Sequence, residues 1–434
     1  MNSKKNSWAG PKQLGIAIFC GILFLAYTCM NTGMTNTILP MVCETRGWEY
    51  SNILPFMSYG GYIGAISALF FTQLAMKKSP KFVIVLSLIL AAVCAILYGT
   101  SENYAIFLVS VIGNRVFGMA YQAAGATVIL TNWFPRTKGI VLGWVTMGII
   151  LSDVIWSPYI PSAVAAIGLT PVFLIVGTAF VILALITVFS VHNYPEECGC
   201  YPDNDPTGLV ELNADDVIKK SYDSSFTVKK LLKTPQVWQI GIGWGALWMI
   251  GVAFVSQLVN RCVSIGYESS FAIHVLQISS VIGLFGSWLF GFLDQKLGTK
   301  KATLIFCVSI AVLFVVGLFQ PQGQAMVWIS ACGIMGCVGG ICNLQPSMVG
   351  TIFGRWDFSA ANRIITPIAT VMMSSSFIIV SCCIKTSLGY NALYVCCAVI
   401  AVIIFFVVLT TKEKMIGATD EDVLKTTDER SGYE

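Results

Sequence analysis

The chain has 434 residues, of which 11% are charged and 56% are hydrophobic, and its mean hydropathy is +0.76. A soluble domain carries about a quarter charged residues, so this composition excludes an ordinary water-soluble protein. The net charge of +4 is small and follows the membrane topology derived below, so it gives no indication of nucleic-acid binding.

Apolar stretches long enough to cross a bilayer recur along the whole chain. Crossing about 30 Å of hydrocarbon takes about 20 residues as a helix, because every backbone polar group must be satisfied within its own segment. The sequence therefore predicts an all-α polytopic membrane protein with twelve transmembrane helices in two pseudo-symmetric six-helix bundles. We predict these helices at 14–41, 52–75, 82–100, 104–132, 138–163, 170–191, 236–263, 270–293, 302–319, 325–352, 360–384 and 388–411.

One long polar segment inside the chain divides the helices into six and six. The predicted organisation is an N-terminal bundle at 1–191, a cytoplasmic linker at 192–235, a C-terminal bundle at 236–411 and a cytoplasmic tail at 412–434. Asp215 to Leu232 has the spacing of a short amphipathic surface helix, and a mobile linker is the alternative. The tail alternates acidic and basic residues, which predicts disorder.

The placement of Lys and Arg predicts the orientation. With both termini in the cytoplasm, nearly all of the 26 basic residues fall on the cytoplasmic side. The exceptions are Arg46, Arg261 and Lys385 outside and Arg115 within the membrane. Cytoplasmic loops carry an excess of Lys and Arg, so this asymmetry supports an even number of spans.

Two loop signatures recur at one offset and predict an internal duplication. Phe134-Pro135-Arg136 corresponds to Phe353-Gly354-Arg355, and Ser79 to Lys81 corresponds to Gly298 to Lys300, each 219 residues apart. Two different loops that agree on one offset favour duplicated six-helix halves. Parallel repeats of this kind build one large class of transporters.

The stretch Gly291 to Lys301 resembles the loop motif after the eighth helix of the major facilitator superfamily, a Gly-x-Leu-x-Asp-Arg-x-Gly-Arg-Arg type pattern. Gly291, Gly298 and Lys300 match it, whereas Gln295 stands where the family has Asp, with Asp294 just before it. In the family this motif latches helices between conformational states, and the resemblance implies the same role here.

Two further loops resemble the oxalate/formate antiporter-like and monocarboxylate transporter-like branch of that superfamily. They run from Asn132 to Gly139 and from Tyr194 to Asp203. The oxalate exchanger of that branch clamps its dicarboxylate with an Arg in helix eight and a Lys in helix eleven. Here the first position aligns with Ser287, and the middle of helix eleven holds Ser374 to Ser376. The resemblance therefore implies a substrate other than oxalate.

Arg115 and Asp153 are the ionisable residues that the pattern places deep in the membrane. At 1.5 Å per residue both lie about 22–26 Å above the cytoplasmic face, on adjacent helices. A charge at that depth is costly unless it is paired or faces a cavity. One interpretation is a purely structural ion pair; the other is that Arg115 attracts an anionic group while Asp153 holds it or accepts a proton.

Polar and aromatic side chains at similar depth are the candidate substrate contacts. A single residue of this kind more often stabilises helix–helix packing than contacts a ligand. Arg115 and Gln122, seven residues apart, are predicted to share one face of helix four. Besides Arg115, the candidates are Asn31, Tyr59, Tyr62, Tyr121, Gln122, Trp248, Gln277, Asn343 and Ser375.

These observations predict a secondary active transporter of a small organic anion, a monocarboxylate, working by exchange or proton symport. A transporter of a larger neutral or weakly acidic metabolite or drug, and a non-transporting substrate sensor, stay open as alternatives. An enzyme is disfavoured because no nucleotide-binding loop or catalytic triad is present. We expect a monomer in the plasma membrane that binds a small organic anion and lipid, without cofactor, metal or nucleic acid.

Overall fold

The computed structural model describes residues 10–134, 137–205, 224 and 226–418, apart from the side chains of some helical positions, Asp153 among them. Eleven helices in these ranges are long and apolar enough to cross a membrane, and one bent pair makes a twelfth span. This confirms the predicted fold class. The chain divides into two units, Met1–Asn213 and Ala214–Glu434.

The first unit contains six spans. The fifth, Lys138–Ile167, is bent by 41° between Trp144–Trp156 and Tyr159–Ile167. The spans are α1 Pro11–Asn31, α2 Tyr50–Ala75, α3 Pro80–Thr100, α4 Tyr104–Trp133, α5 Lys138–Ile167 and α6 Leu169–Ser190.

The second unit repeats this arrangement with six more spans. They are α7 Pro235–Val255, α8 Ser269–Leu297, α9 Thr299–Gly317, α10 Gln324–Gly354, α11 Ala360–Ile384 and α12 Tyr390–Thr410. Glycines let α8 and α10 approach backbone to backbone, since a Cβ on Gly286 would lie 1.9 Å from the carbonyl oxygen of Gly336.

Local sequence signals explain where several helices begin. Pro11, Pro80 and Pro235 each occupy a first helical position, where the missing N–H costs no hydrogen bond. Ser79 caps α3 by accepting a hydrogen bond from the Phe82 N–H at 3.1 Å. Asn103 caps α4 in the same way, accepting from the N–H groups of Ala105 and Ile106.

The start of the C-terminal tail is packed against the second unit, so the prediction of disorder from residue 412 is wrong for its first residues. The Ile416 N–H donates to the carbonyl oxygen of Ile352 at 2.8 Å, and the Ala418 N–H donates to buried Asp357 at 2.8 Å. The Ser224 hydroxyl donates to the same carboxylate. Residues 419–434 and Asp215–Asp223, part of the predicted surface helix, lie outside the described residues.

Candidate substrate site

Two π-helical turns interrupt the first unit, one in each of two spans that carry predicted site residues. The first is Cys29–Gly33, which contains Asn31, and the second is Ala120–Ala126, which contains Tyr121 and Gln122. Such turns occur mostly as local insertions in α-helices, often at functional sites. The second turn also widens the helix, so a seven-residue spacing no longer ensures that Arg115 and Gln122 share a face.

Arg115 lies one turn before the π-helical segment of α4 and is only 3% exposed. Its Nη1 donates to Asn31 Oδ1 of the other π-helical turn at 3.3 Å, and Asn31 Nδ2 donates to the Tyr27 carbonyl oxygen at 2.6 Å. The structure therefore joins two of the predicted site residues. The contact places the Asn31 amide against the guanidinium and links α1 to α4.

Glycines fix the position of this cluster. A Cβ on Gly60 of α2 would lie 3.0 Å from Arg115 Cβ, and a Cβ on Gly118 would lie 2.8 Å from the Tyr27 ring. The Gly118 contact is closer than real Cβ atoms come, and the Gly60 contact is at the tight limit, so the missing Cβ atoms favour the close approach of α1 and α2 to α4.

The proposed partner of Arg115 lies beyond what the structure describes. Asp153 belongs to α5, five residues before the bend near Pro158, and its side chain is outside the described residues. The Arg115–Asp153 ion pair thus stays a prediction.

The other predicted residues of the first unit have different surroundings. Tyr121 is buried and its ring lies 6.2 Å from that of Phe180 in α6. Tyr59 is 44% exposed and makes an edge contact with Phe56, while Tyr62 and Gln122 are partly buried. Tyr121 therefore contributes to packing between helices.

In the second unit two of the predicted residues, Trp248 and Asn343, form neutral hydrogen-bonded pairs. Trp248 Nε1 donates to Gln345 Oε1 at 2.9 Å, which ties α7 to α10. Asn343 Nδ2 donates to the carbonyl oxygen and to Oγ of Ser287 at 2.9 and 3.0 Å, which ties α10 to α8. Ser287 is the position at which the resemblance to the oxalate exchanger implies a clamp arginine, and in this chain it makes the contact between α10 and α8.

Two spans of this unit are interrupted at polar residues, α7 at Ser256 and Gln257 and α11 at Ser375. α7 ends at Val255, and a second helix, Leu258–Ser264, starts after buried Ser256 and Gln257. α11 is interrupted at Ser375, whose hydroxyl donates to the Val371 carbonyl oxygen at 3.0 Å. Gln277 is partly buried in α8.

The structure adds a buried cation that the sequence pattern had placed on the outer side, near the end of the predicted helix 236–263. Arg261 is 4% exposed, and it donates to Gln320 Oε1 at 3.1 Å and to Asn391 Oδ1 at 2.7 Å. Its guanidinium carbon lies 5.3 Å from the centre of the Tyr394 ring. Arg261 is therefore a buried cation in addition to the two ionisable residues that the sequence places deep in the membrane, Arg115 and Asp153.

Asn114 is a second residue that sequence reasoning missed. It is 4% exposed, and neither its Oδ1 nor its Nδ2 has a hydrogen-bond partner among the described residues. It precedes Arg115 and lies one turn from Gly118 on the face of α4 that meets α1. The signal was available, since an Asn–Arg dipeptide inside an apolar span is rare.

The loop motif after α8 is ordered by backbone conformation and by one lysine. Gly298 has φ +86°, a conformation that favours glycine. Gly291 lies close to Asn343, because a Cβ added to Gly291 would be 3.6 Å from Asn343 Nδ2. Lys300 Nζ donates to the carbonyl oxygens of Leu409 and Thr411 at 2.9 Å each, at the end of α12. Asp294 is partly buried and Gln295 is exposed.

The two loops that resemble the oxalate/formate branch meet in the structure. The Thr137 N–H donates to Asp203 Oδ1 at 3.0 Å, Asn132 Nδ2 donates to the Asn193 carbonyl oxygen at 3.2 Å, and Trp133 Nε1 donates to the His192 carbonyl oxygen at 2.9 Å. These contacts hold the segment after α6 against the end of α4. The residues that resemble the oxalate/formate branch therefore stabilise the packing of these two loops.

Comparison with known proteins agrees with this architecture. A family model described as Major Facilitator Superfamily matches residues 83–380. The phosphoglycerate transporter protein of Salmonella typhimurium is 25% identical over 352 residues, with 75% of this chain and 72% of that protein covered. The oxalate:formate antiporter of Oxalobacter formigenes is 25% identical over 252 residues, with 57% and 54% covered.

A yeast protein and a solved structure extend the likeness over more of the chain. The probable transporter MCH2 of Saccharomyces cerevisiae is 22% identical over 389 residues, with 83% of this chain and 76% of that protein covered. The crystal structure of a bacterial homolog to the human lysosomal transporter Spinster, inward-facing and occupied, has a TM-score of 0.69 at 14% identity. It covers 94% of this chain and 100% of that one, which shows a shared fold.

Proposed function

Because this chain belongs to the major facilitator superfamily, we propose that it is a secondary active transporter of a small organic anion, a monocarboxylate, which works by alternating access. The chain is a membrane transporter of the superfamily type and not an enzyme. The substrate class and the residues that bind it are the proposal.

The observation that carries the proposal is Arg115. A cation held 3% exposed inside a membrane span costs several kcal/mol, which a protein tolerates when the charge has a role. A guanidinium matches a carboxylate in charge and geometry, and the Asn31 amide contributes to its position. Relatives named for phosphoglycerate and for oxalate and formate support small anions as the substrate class.

A single carboxylate fits the distribution of charge better than two. The position aligned with the clamp arginine of the oxalate exchanger is Ser287, and its hydroxyl is bonded to Asn343. The position of the clamp lysine lies among Ser374, Ser375 and Ser376, which are uncharged. We therefore propose that Arg115 binds one anionic end. Contacts of Trp248, Gln277, Asn343 and Ser375 with a neutral substrate body remain predictions.

Thermal-shift screening of the purified chain tests this proposal, because a ligand that binds the folded state raises its melting temperature by mass action. We expect monocarboxylates to stabilise the protein and neutral analogues of equal size to have no effect. Arg115→Gln should abolish the shift. The matched control is Arg363→Gln, which removes the same charge from an exposed position.

An undiminished carboxylate shift in a well-folded Arg115→Gln variant would contradict the proposal. Uptake of the stabilising compound into proteoliposomes then distinguishes a transporter from a sensor, since a sensor binds without flux.

We also propose that both termini and the segment 192–235 face the cytoplasm of a plasma membrane, on the basis of the Lys and Arg asymmetry. A single cysteine at position 213 in a cysteine-free background should be protected from an impermeant thiol reagent applied outside intact cells. Labelling from outside would contradict this orientation.

A further inference from the structure

An open seam runs between α1 and α6 of the first unit. Its lower part is a cavity of about 310 Å³ between the Lys12 end of α1 and the end of α6, and its floor is Trp133. A second cavity of about 270 Å³ continues along the same two helices, where Ile22 and Leu25 of α1 face Leu183 of α6. Together the two cavities extend along α1 from Lys12 to Met30, which is about five helical turns.

The polarity of this seam is confined to one end. Lys12 and His192 lie at the rim of the lower cavity, whereas its walls include Ile16, Phe19 and Ile186. The upper cavity exposes no polar surface. A groove with a polar rim and a long apolar interior is complementary to an amphiphile, which has a polar head and an apolar chain.

The charge at the rim is positive where it meets the groove. Lys12 Nζ donates one of its three N–H groups to the Cys198 carbonyl oxygen at 2.9 Å, which orients the ammonium and leaves two donors. The nearby Glu197 carboxylate accepts from the Asn193 N–H at 3.1 Å and lies 3.7 Å from His192 Nδ1. These contacts hold the Glu197 carboxylate beside Asn193 and His192.

The length of the seam matches a membrane lipid. From Lys12 to Leu25 the helix rises by about 20 Å at 1.5 Å per residue. One leaflet contributes about half of a hydrocarbon layer of about 30 Å, so this rise accommodates a head group and an acyl chain. Phe189 beside the lower cavity is 79% exposed, and Ile18 is 56% exposed, as expected of surfaces that face lipid.

We propose that the seam between α1 and α6 binds an anionic phospholipid, with the phosphate at Lys12 and one acyl chain along Ile16, Phe19 and Ile186. Basic pockets between membrane helices bind anionic head groups, and charge complementarity makes phospholipid the occupant here. The lipid fills apolar surface between α1 and α6 that protein side chains do not cover.

Native mass spectrometry and melting temperatures of the full-length chain test the proposal with phosphatidylglycerol against phosphatidylcholine of equal chain length. The wild-type protein should retain one phosphatidylglycerol and prefer it over phosphatidylcholine. Lys12→Gln should reduce that preference about fivefold, as expected for one lysine near a phosphate. The matched control is Lys77→Gln, which removes an exposed charge from the end of α2 and should change nothing.

Two further arms separate the head group from the chain. Glycerol phosphate without acyl chains should produce no shift at the same concentration, and a full shift would assign the site to a free phosphate instead. Ile186→Trp, which fills the apolar groove while Lys12 stays intact, should also expel the lipid. Equal phosphatidylglycerol preference in Lys12→Gln, Ile186→Trp and Lys77→Gln would overturn the proposal.

Discussion

The two six-helix units share a fold and differ in charge. In the first unit Arg115 donates a hydrogen bond to Asn31, and a π-helical turn lies at Asn31 and another lies one turn after Arg115. In the second unit the corresponding helices carry neutral pairs, Trp248 with Gln345 and Asn343 with Ser287. Duplication preserves the packing of helices because packing depends on apolar surface, whereas a single polar substitution changes what a cavity binds.

A second comparison concerns the arginines after the first span of each unit. Arg46 donates to the carbonyl oxygens of Tyr98 and Gly99 at the end of α3, at 3.3 and 2.9 Å. Arg261 donates to Gln320, just after α9. Each arginine therefore fastens the region after the first span to the end of the third, and this shared contact supports the duplication independently of the loop signatures.

The largest expected effect on stability is the loss of Arg261. Arg261→Gln removes two charge-assisted hydrogen bonds from buried Gln320 and partly buried Asn391, which should cost about 3 kcal/mol of unfolding free energy. Arg46→Gln is the matched variant in the first unit and should cost less, because Arg46 is partly exposed. Chemical denaturation in detergent measures the unfolding free energy of both variants. Equal losses of unfolding free energy would contradict the expectation that the more buried arginine contributes more.

A smaller effect is expected for the tryptophan pair of the second unit. Trp248→Phe keeps the ring but leaves Gln345 Oε1 without its donor, which should cost about 1–2 kcal/mol. Trp238→Phe is the control, since Trp238 Nε1 donates to the Leu232 carbonyl oxygen at 2.8 Å from an exposed position. Its loss should be below about 1 kcal/mol because water can donate to the Leu232 carbonyl oxygen in place of the indole N–H. A larger loss for Trp238→Phe would refute the assigned role of the Trp248 contact.

The smallest expected change has the opposite sign. The two polar atoms of the buried Asn114 amide have no hydrogen-bond partner within the described part of the chain. Asn114→Leu replaces this amide with an apolar side chain of similar size, so stability should rise by about 1 kcal/mol. Asn343→Leu removes a bonded amide and should lower it. If Asn114 also contacts substrate, uptake by Asn114→Leu will fall although the protein is more stable. A destabilised Asn114→Leu would mean that the amide is satisfied in the folded chain.

The sequence was sufficient for the architecture because hydropathy over about 20 residues reports the membrane directly. It also identified Arg115 and Asn31, since a polar residue in an apolar span stands out against its neighbours. The hydrogen bond between them depends on how α1 and α4 pack, which periodicity does not encode.

Interruptions and long-range contacts account for what sequence reasoning missed. Arg261 lies near the outer end of the predicted helix 236–263, so the sequence placed it on the outer side. Its burial depends on Gln320 and Asn391, which are 59 and 130 residues away. The π-helical turn Ala120–Ala126 has no single marker residue. The packing of the first tail residues depends on Asp357, whose role is apparent only once α10, α11 and the tail are folded.

The most direct test of the central claim, that Arg115 supplies the charge for an anionic substrate, is uptake by the double variant Arg115→Gln/Asp153→Asn. Removing one charge of the predicted pair strands the other in a medium of low dielectric constant, and removing both should restore much of the stability. The account predicts that the double variant regains its melting temperature but takes up no monocarboxylate. Recovery of both stability and uptake would contradict it, because Arg115 would then serve only as a structural ion pair.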